Sequence, residues 1–206
     1  MDNVLIEYSR RLKIEALNVI ENLNLMSFWK EAGGDPYLVG ALAYDLALLP
    51  DIDIEIFCEI PRIDDGFRIL NVCAHQPGCL RTHFSNKLDE PDQGYYWQVR
   101  YQQPNRHLWN VDMWSMRFDH PGPTSRDMIK PMQQALDRDK RQTILTLKHA
   151  VKDDPNVTCP SIFLYQAVLA DSVHNYDELL DWLSKHCVEG INDWRKWLPN
   201  RKLSQR

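Results

Sequence analysis

The sequence predicts an α+β fold: a small mixed β-sheet domain flanked by helices over residues 1–123, then an all-helical domain over residues 124–206. Three observations carry this. Asp51-Ile-Asp-Ile-Glu-Ile-Phe57 alternates charged and apolar residues, the period of a half-buried strand. The other strand-like runs, 81–88, 95–102 and 108–118, also precede residue 119. Beyond Ser125 only helical spacing is found, and Pro121-Gly122-Pro123 marks the change of character.

Residues 4–25 place Leu5, Tyr8, Leu12, Leu17, Ile20 and Leu23 at three- to five-residue steps, which predicts one helix with a buried face. Gly33-Gly34-Asp35-Pro36 breaks the chain, and Tyr37-Leu38-Val39 reads as a short buried strand. Residues 41–48, rich in Ala and Leu, predict two helical turns closed by Pro50, which cannot continue a helix. After the strand 51–57, a helix over 64–73 is stopped by Pro77-Gly78. Strands 81–88 and 95–102 are joined by the turn-rich segment 89–94, and Pro104-Asn105 turns the chain into 108–118. Met128, Met132 and Leu136, then Ile144, Leu147 and Val151, keep helical spacing across the charged patch 137–141. Helices over 161–170 and 176–186 follow.

Composition narrows the function. A chain of 206 residues with 44% apolar residues can bury a core without disulfides. Seven tryptophans exclude disorder, and the longest apolar stretches fall far short of the roughly 20 residues of a membrane span. The first residues lack the basic and apolar regions of a secretion signal. Five cysteines without framework spacing suit reduced thiols, so a cytoplasmic location is expected. Twenty-four basic against 29 acidic side chains leave a formal charge of −5, which argues against a chain that mainly coats nucleic acid.

The chemistry points to Asp51 and Asp53. On a strand, side chains two apart share a face about 7 Å apart, so two carboxylates can converge on one Mg²⁺ or on two. Such pairs are common; Glu90/Asp92 and Asp137/Asp139 are others. The context sets this one apart. Val39-Gly40-Ala41 places a glycine eleven positions before Asp51, where close backbone approach and the free N–H groups of a helix start suit phosphate oxygens. Asp112, between apolar neighbours on a later strand, faces the same site if the two strands lie side by side.

On these residues the chain resembles the nucleotidyltransferase superfamily that includes DNA polymerase β, kanamycin nucleotidyltransferase and the minimal nucleotidyltransferases. Its pattern is a strand ending in Gly-Ser, a helix, an acid-x-acid strand and a third acid on a further strand; the counterparts are Gly40-Ala41, Asp51-Ile-Asp53 and Asp112, within residues 36–118. The resemblance implies two Mg²⁺ ions held by Asp51, Asp53 and Asp112, a nucleoside triphosphate as substrate, and transfer of its nucleotidyl group to an acceptor hydroxyl. Gly40, Ala41 and Lys148, on a later helix, are the implied nucleotide-binding positions. Two departures stand out. The family's serine is Ala41, and Asp45 takes a place where many members carry glycine, bringing an extra acid near the phosphates.

From the acidic charge, a small molecule or a protein side chain is the expected acceptor, nucleic acid an unlikely partner, and a homodimer possible. The competing expectation is a regulatory or toxin–antitoxin protein that keeps the fold without turnover; a structural protein with coincidental acids is a third. Cys73, His75, Cys79 and His83 match no common zinc spacing. Arg100, Arg106 and Arg117 flank the Asp112 strand as candidate phosphate partners or plain surface residues, and Trp182, Trp194 and Trp197 read as packing. An acidic pair of final helices excludes a helix-turn-helix reader, and no P-loop or serine-hydrolase motif occurs.

Overall fold

A computed structural model describes residues 4–104 and 107–198. The acid/apolar alternation becomes the second strand, and the rest of the sheet is built around it. In chain order the strands are β1 (Asp35–Val39), β2 (Asp51–Cys58), β3 (Cys79–Lys87), β4 (Gly94–Gln102) and β5 (Leu108–Arg117). The helices are α1 (Val4–Asn22), α2 (Leu25–Glu31), α3 (Gly40–Ala43), α4 (Ile63–Ala74), α5 (Ser125–Ala135), α6 (Arg138–Asp153), α7 (Ser161–Leu169) and α8 (Tyr176–Lys185).

The strands form one mixed sheet in the order β1-β2-β5-β4-β3. Among the described residues only β2 and β5 pair in parallel, which α4, β3 and β4 make possible by returning the chain to the same end. Ile52, Ile54 and Ile56 are wholly buried against α1, α2 and α4, in a core with Leu12, Val19, Trp29, Trp97 and Met113. Each buried isoleucine contributes roughly 1.5–3 kcal/mol. That burial fixes which way β2 faces, and so sends Asp51 and Asp53 to the other side.

Three helical expectations change. The helix expected over 4–25 breaks at Asn24, whose φ of 51° is left-handed, a conformation asparagine tolerates; α2 starts beyond it. The helix expected over 41–48 is a single turn, because Asp45 also adopts a left-handed φ of 57°. From there the chain runs irregular but buried, and distant side chains satisfy its backbone. Arg141 donates to Tyr44 O, Lys148 Nζ donates to Leu46 O at 2.9 Å, and Ala47 N donates to Ser9 Oγ at 2.9 Å. The helical run of 128–151 is two helices, since Asp137 caps α6 by accepting from Lys140 N at 2.8 Å.

Helices α5–α8 follow the 118–124 connection, and their core contains Met128, Ile144, Leu147, Leu164 and Trp182. The same core includes Ile6 of α1 and Tyr44, Leu46 and Leu48 from the 44–48 segment. The helical half is therefore packed into the sheet half rather than shown as a separate unit. Among the described residues no helix is long and apolar enough to cross a membrane.

Candidate active site

The parallel register of β2 and β5 sets Asp53 directly opposite Asp112, with Asp51 one same-face step away. Each of the three offers a carboxylate oxygen, and these oxygens lie within 4.8 Å of one another. Asp51 Oδ1 is buried and has no hydrogen-bond partner among the described residues. Asp112 is held differently: Tyr96 OH donates to its Oδ1 at 2.6 Å and Gln98 Nε2 donates to the same oxygen at 2.9 Å. Gln98 Nε2 also donates to Tyr96 OH at 2.9 Å, closing a three-membered clamp on β4 and β5.

The crowding shows in the acidities. Burial, then the charge of Asp112, raises the Asp51 carboxyl to about 6, against a pull downward from Lys148. Burial, then Asp51, Asp112 and Glu55, raises Asp53 to about 7. Burial and the bond to Asp112 push the Tyr96 phenol up as well. An orphaned carboxylate oxygen amid converging, mutually repelling acids is the donor set of a hard divalent cation, which takes oxygen ligands and removes the repulsion. The residues fit Mg²⁺.

A cavity of about 290 Å³ opens beside the carboxylates, between the sheet and the helical half. Gly40 and Ala41 line it from one wall, Lys148, Lys152 and Tyr165 from the other. Gly40 adopts a φ of 67°, and a Cβ there would run into the Asp53 carboxylate. Here the glycine is required twice, by the backbone and by the acid behind it. Asp45 is not part of the lining. It pairs with Lys13 at 2.7 Å and with Arg141 at 3.9 Å, so the expected repulsion of phosphates is neutralised locally. Its left-handed φ of 57° is a conformation that glycine adopts most readily.

Lys148, singled out from the sequence, stands in the cavity wall with its ammonium 5.7 Å from the Tyr165 ring centre. Lys152, one helical turn on, was missed, although its i+4 spacing from Lys148 was a usable signal. Tyr165 was missed too; its ring is buried and its hydroxyl has no partner among the described residues.

On the other side of Asp53 lies a second cavity of about 340 Å³, lined by Glu55, Trp114, His120 and Ser125 among others. Buried Glu55 accepts from Ser125 N and Arg126 N, both at 2.8 Å, and so caps α5 from the sheet. The Arg126 guanidinium sits 3.7 Å above the Phe57 ring.

Other candidates go elsewhere. Among the described residues, Asp51, Asp53 and Asp112 form the sole group of three suited to a metal, so Cys73, His75, Cys79 and His83 do not converge. His75 Nδ1 is bound to Asn71 O at 2.7 Å, and Cys73 is core. Arg117 pairs with Asp119 at 2.8 Å on the surface, Arg100 lies on β4, and Arg106 falls outside the described residues. Trp182, Trp194 and Trp197 belong to the helical core or pack against it.

No family model and no curated protein sequence matches the chain. Solved structures do. Cid1 poly(U) polymerase bound to MgATP matches with a TM-score of 0.60 at 15% identity, over 80% of this chain and 51% of that one. A cytoplasmic RNA terminal U-transferase matches with a TM-score of 0.55 at 12% identity, over 80% and 49%. The GLD-2/RNP-8 complex matches with a TM-score of 0.54 at 11% identity, over 82% and 64%. The chain spans about half the length of the first of these, and at such identities the likeness is one of fold.

Proposed function

We propose, from a chain with the polymerase β-like nucleotidyltransferase fold, that it transfers a nucleotidyl group from a nucleoside triphosphate to an acceptor hydroxyl. One observation carries the reading: three carboxylate oxygens meet within 4.8 Å, one of the acids with an orphaned oxygen, beside a cavity walled by Lys148 and Lys152. Asp51, Asp53 and Asp112 are the residues to hold Mg²⁺, two ions in this reading. Bound there, the metal supplies positive charge against the triphosphate and the departing pyrophosphate.

The chain's own residues do the rest. Gly40 lets the backbone come close to the phosphates, and Lys148 and Lys152 offer them charge from the far wall. The acceptor oxygen attacks the α-phosphorus as the bond to pyrophosphate breaks. Asp112 helps take the hydroxyl proton, and Tyr96 and Gln98 hold its carboxylate in place through Oδ1. In this reading residues 1–123 carry the acids and residues 124–206 the opposing wall. Five free cysteines suit a reducing, cytoplasmic setting.

Net charge favours a small molecule or a protein side chain as acceptor. The neighbours named for poly(U) polymerase and RNA terminal U-transferase point instead to an RNA end, and give no support to nucleic acid being an unlikely partner. A second reading rests on Ala41: without the serine hydroxyl, the site loses a bond to a charged group worth about 1.5–3 kcal/mol, and binding without turnover becomes the alternative.

Thermal denaturation with ATP, GTP, CTP and UTP, with and without Mg²⁺, tests nucleotide binding. Metal-dependent stabilisation that Asp53→Asn removes is the expected result, and no response to any nucleotide refutes the reading. Pyrophosphate release across small-molecule, protein and RNA acceptors then separates the enzyme from the silent binder.

A further inference from the structure

The face of the sheet that carries the carboxylates continues beyond them. Directly opposed residues on paired strands share a face, so the register runs from Asp112 on β5 to Gln98 on β4 and His83 on β3. Trp114 and Tyr96 form the neighbouring row on one side, and Arg100 and Arg81 the row on the other. Arg81 and His83 are exposed, and Tyr96, Trp114 and Arg100 are half-buried. α4 packs on the opposite face, where Phe67 and Phe84 meet Trp97.

Two properties of this surface stand out. The rings form a row: Tyr96 lies 5.0 Å from Trp114 and 6.1 Å from His83, centre to centre. The cations beside it are uncompensated. Among the described residues Arg81 donates to Gln98 at 2.6 Å and meets no carboxylate, and Arg100 has a buried Nε without a partner and no ion pair.

We propose that this face is an acceptor platform and that the acceptor is a single-stranded polynucleotide. Its terminal bases stack on Trp114, Tyr96 and His83, its phosphates meet Arg81 and Arg100, and its 3′-hydroxyl reaches Asp112. The proposal rests on the nucleotidyl-transfer reading above and adds the acceptor to it. Rings recognise bases through π-faces that a duplex conceals, which selects a single strand. Guanidiniums unclaimed by carboxylates are complementary to phosphate. The row crosses three strands, about 10 Å, longer than one base needs. A formal charge of −5 is no bar, because attraction at contact acts within a Debye length of about 8 Å.

Fluorescence anisotropy with labelled single-stranded oligouridylate, oligoadenylate and oligodeoxythymidylate tests this on the full chain, with Mg²⁺–nucleotide thermal shift run in parallel. Expected are roughly tenfold or greater losses of oligonucleotide affinity in Arg81→Glu and Trp114→Ala, with near-parental affinity in Trp114→Phe. Arg81→Gln lowers the slope of log affinity against log salt by about 1. All four variants keep the circular dichroism and nucleotide response of the parent. The proposal is overturned if no single-stranded probe binds, which turns the search to a small-molecule or protein acceptor, or if probes bind and these variants leave their affinity unchanged. An absent Mg²⁺–nucleotide response in the parent sinks nucleotidyl transfer instead, while the anisotropy still judges the platform. RNA binding tenfold or more tighter than DNA narrows the acceptor to RNA.

Discussion

Asp53→Asn puts the site's electrostatics to a direct test. Burial and then three neighbouring carboxylates raise Asp53 from 3.8 to about 7. Ionised in the fold, such a group costs at most about 4 kcal/mol relative to the unfolded chain. The sign follows from proton counts. Between about pH 4 and pH 7 the folded chain keeps a proton that the unfolded chain has released, so metal-free stability falls as pH rises through that window and levels off above it. Asparagine carries no charge and removes Asp53's share of this slope, leaving the smaller share of Asp51, which is raised to about 6. In chelator at about pH 8, Asp53→Asn should outlast the parent by up to about 4 kcal/mol, or roughly 8–16 °C in melting temperature at this chain length. At about pH 4 the two should melt together. Millimolar Mg²⁺ should stabilise the parent at pH 8 and leave the variant unmoved. A parent whose metal-free melting temperature is flat across the window, or a variant that melts lower at pH 8, would refute the electrostatic argument.

Gly40→Ala should cost about 1–2 kcal/mol from the left-handed backbone alone and more from collision with Asp53; calorimetry reads the loss and pyrophosphate release the fall in activity. Ala41→Ser restores a hydroxyl at the cavity wall and should tighten triphosphate binding ten- to a hundredfold, about 1.5–3 kcal/mol, in titration calorimetry. Lys148→Ala should weaken triphosphate binding by a similar factor; Lys148→Arg keeps the charge and should recover part of it. Glu55→Gln should lower stability by about 1–3 kcal/mol through the weakened cap on α5, measured by denaturant unfolding.

What the sequence made readable were features written in consecutive residues. Isoleucine at every second place in 51–57 told which side of β2 faces the core, and the acids necessarily took the other. Gly40 was readable from its place eleven positions before Asp51, and its φ of 67° with Asp53 packed behind it makes that place one for glycine. The meeting of Asp53 with Asp112 was expected from the family resemblance and on condition that the two strands lie side by side; the residues alone did not fix it, since it depends on β5 pairing parallel to β2 across 58 intervening positions. The clamp of Tyr96 and Gln98 on Asp112 was hidden for the same reason: it arises from the β4–β5 register, which alternation within one strand does not specify. Whether Asp45 faces the phosphates or points away could not be read, because its partners, Lys13 and Arg141, come from α1 and α6. The shortened helix before Pro50 has a similar cause, as backbone groups there bond to side chains from distant helices.

Glu55 has a consequence for how the crevice is held. One buried carboxylate on β2 grips the first amides of α5, while Tyr44, Leu46 and Leu48 are embedded among the helices on the far side. With both flanks stitched across the crevice, the sheet half and the helical half separate only by exposing a buried carboxylate and three buried side chains. If the chain transfers nucleotides as proposed, selection falls to the contour of the slot and to the group seated beside Asp112 rather than to a hinge between halves.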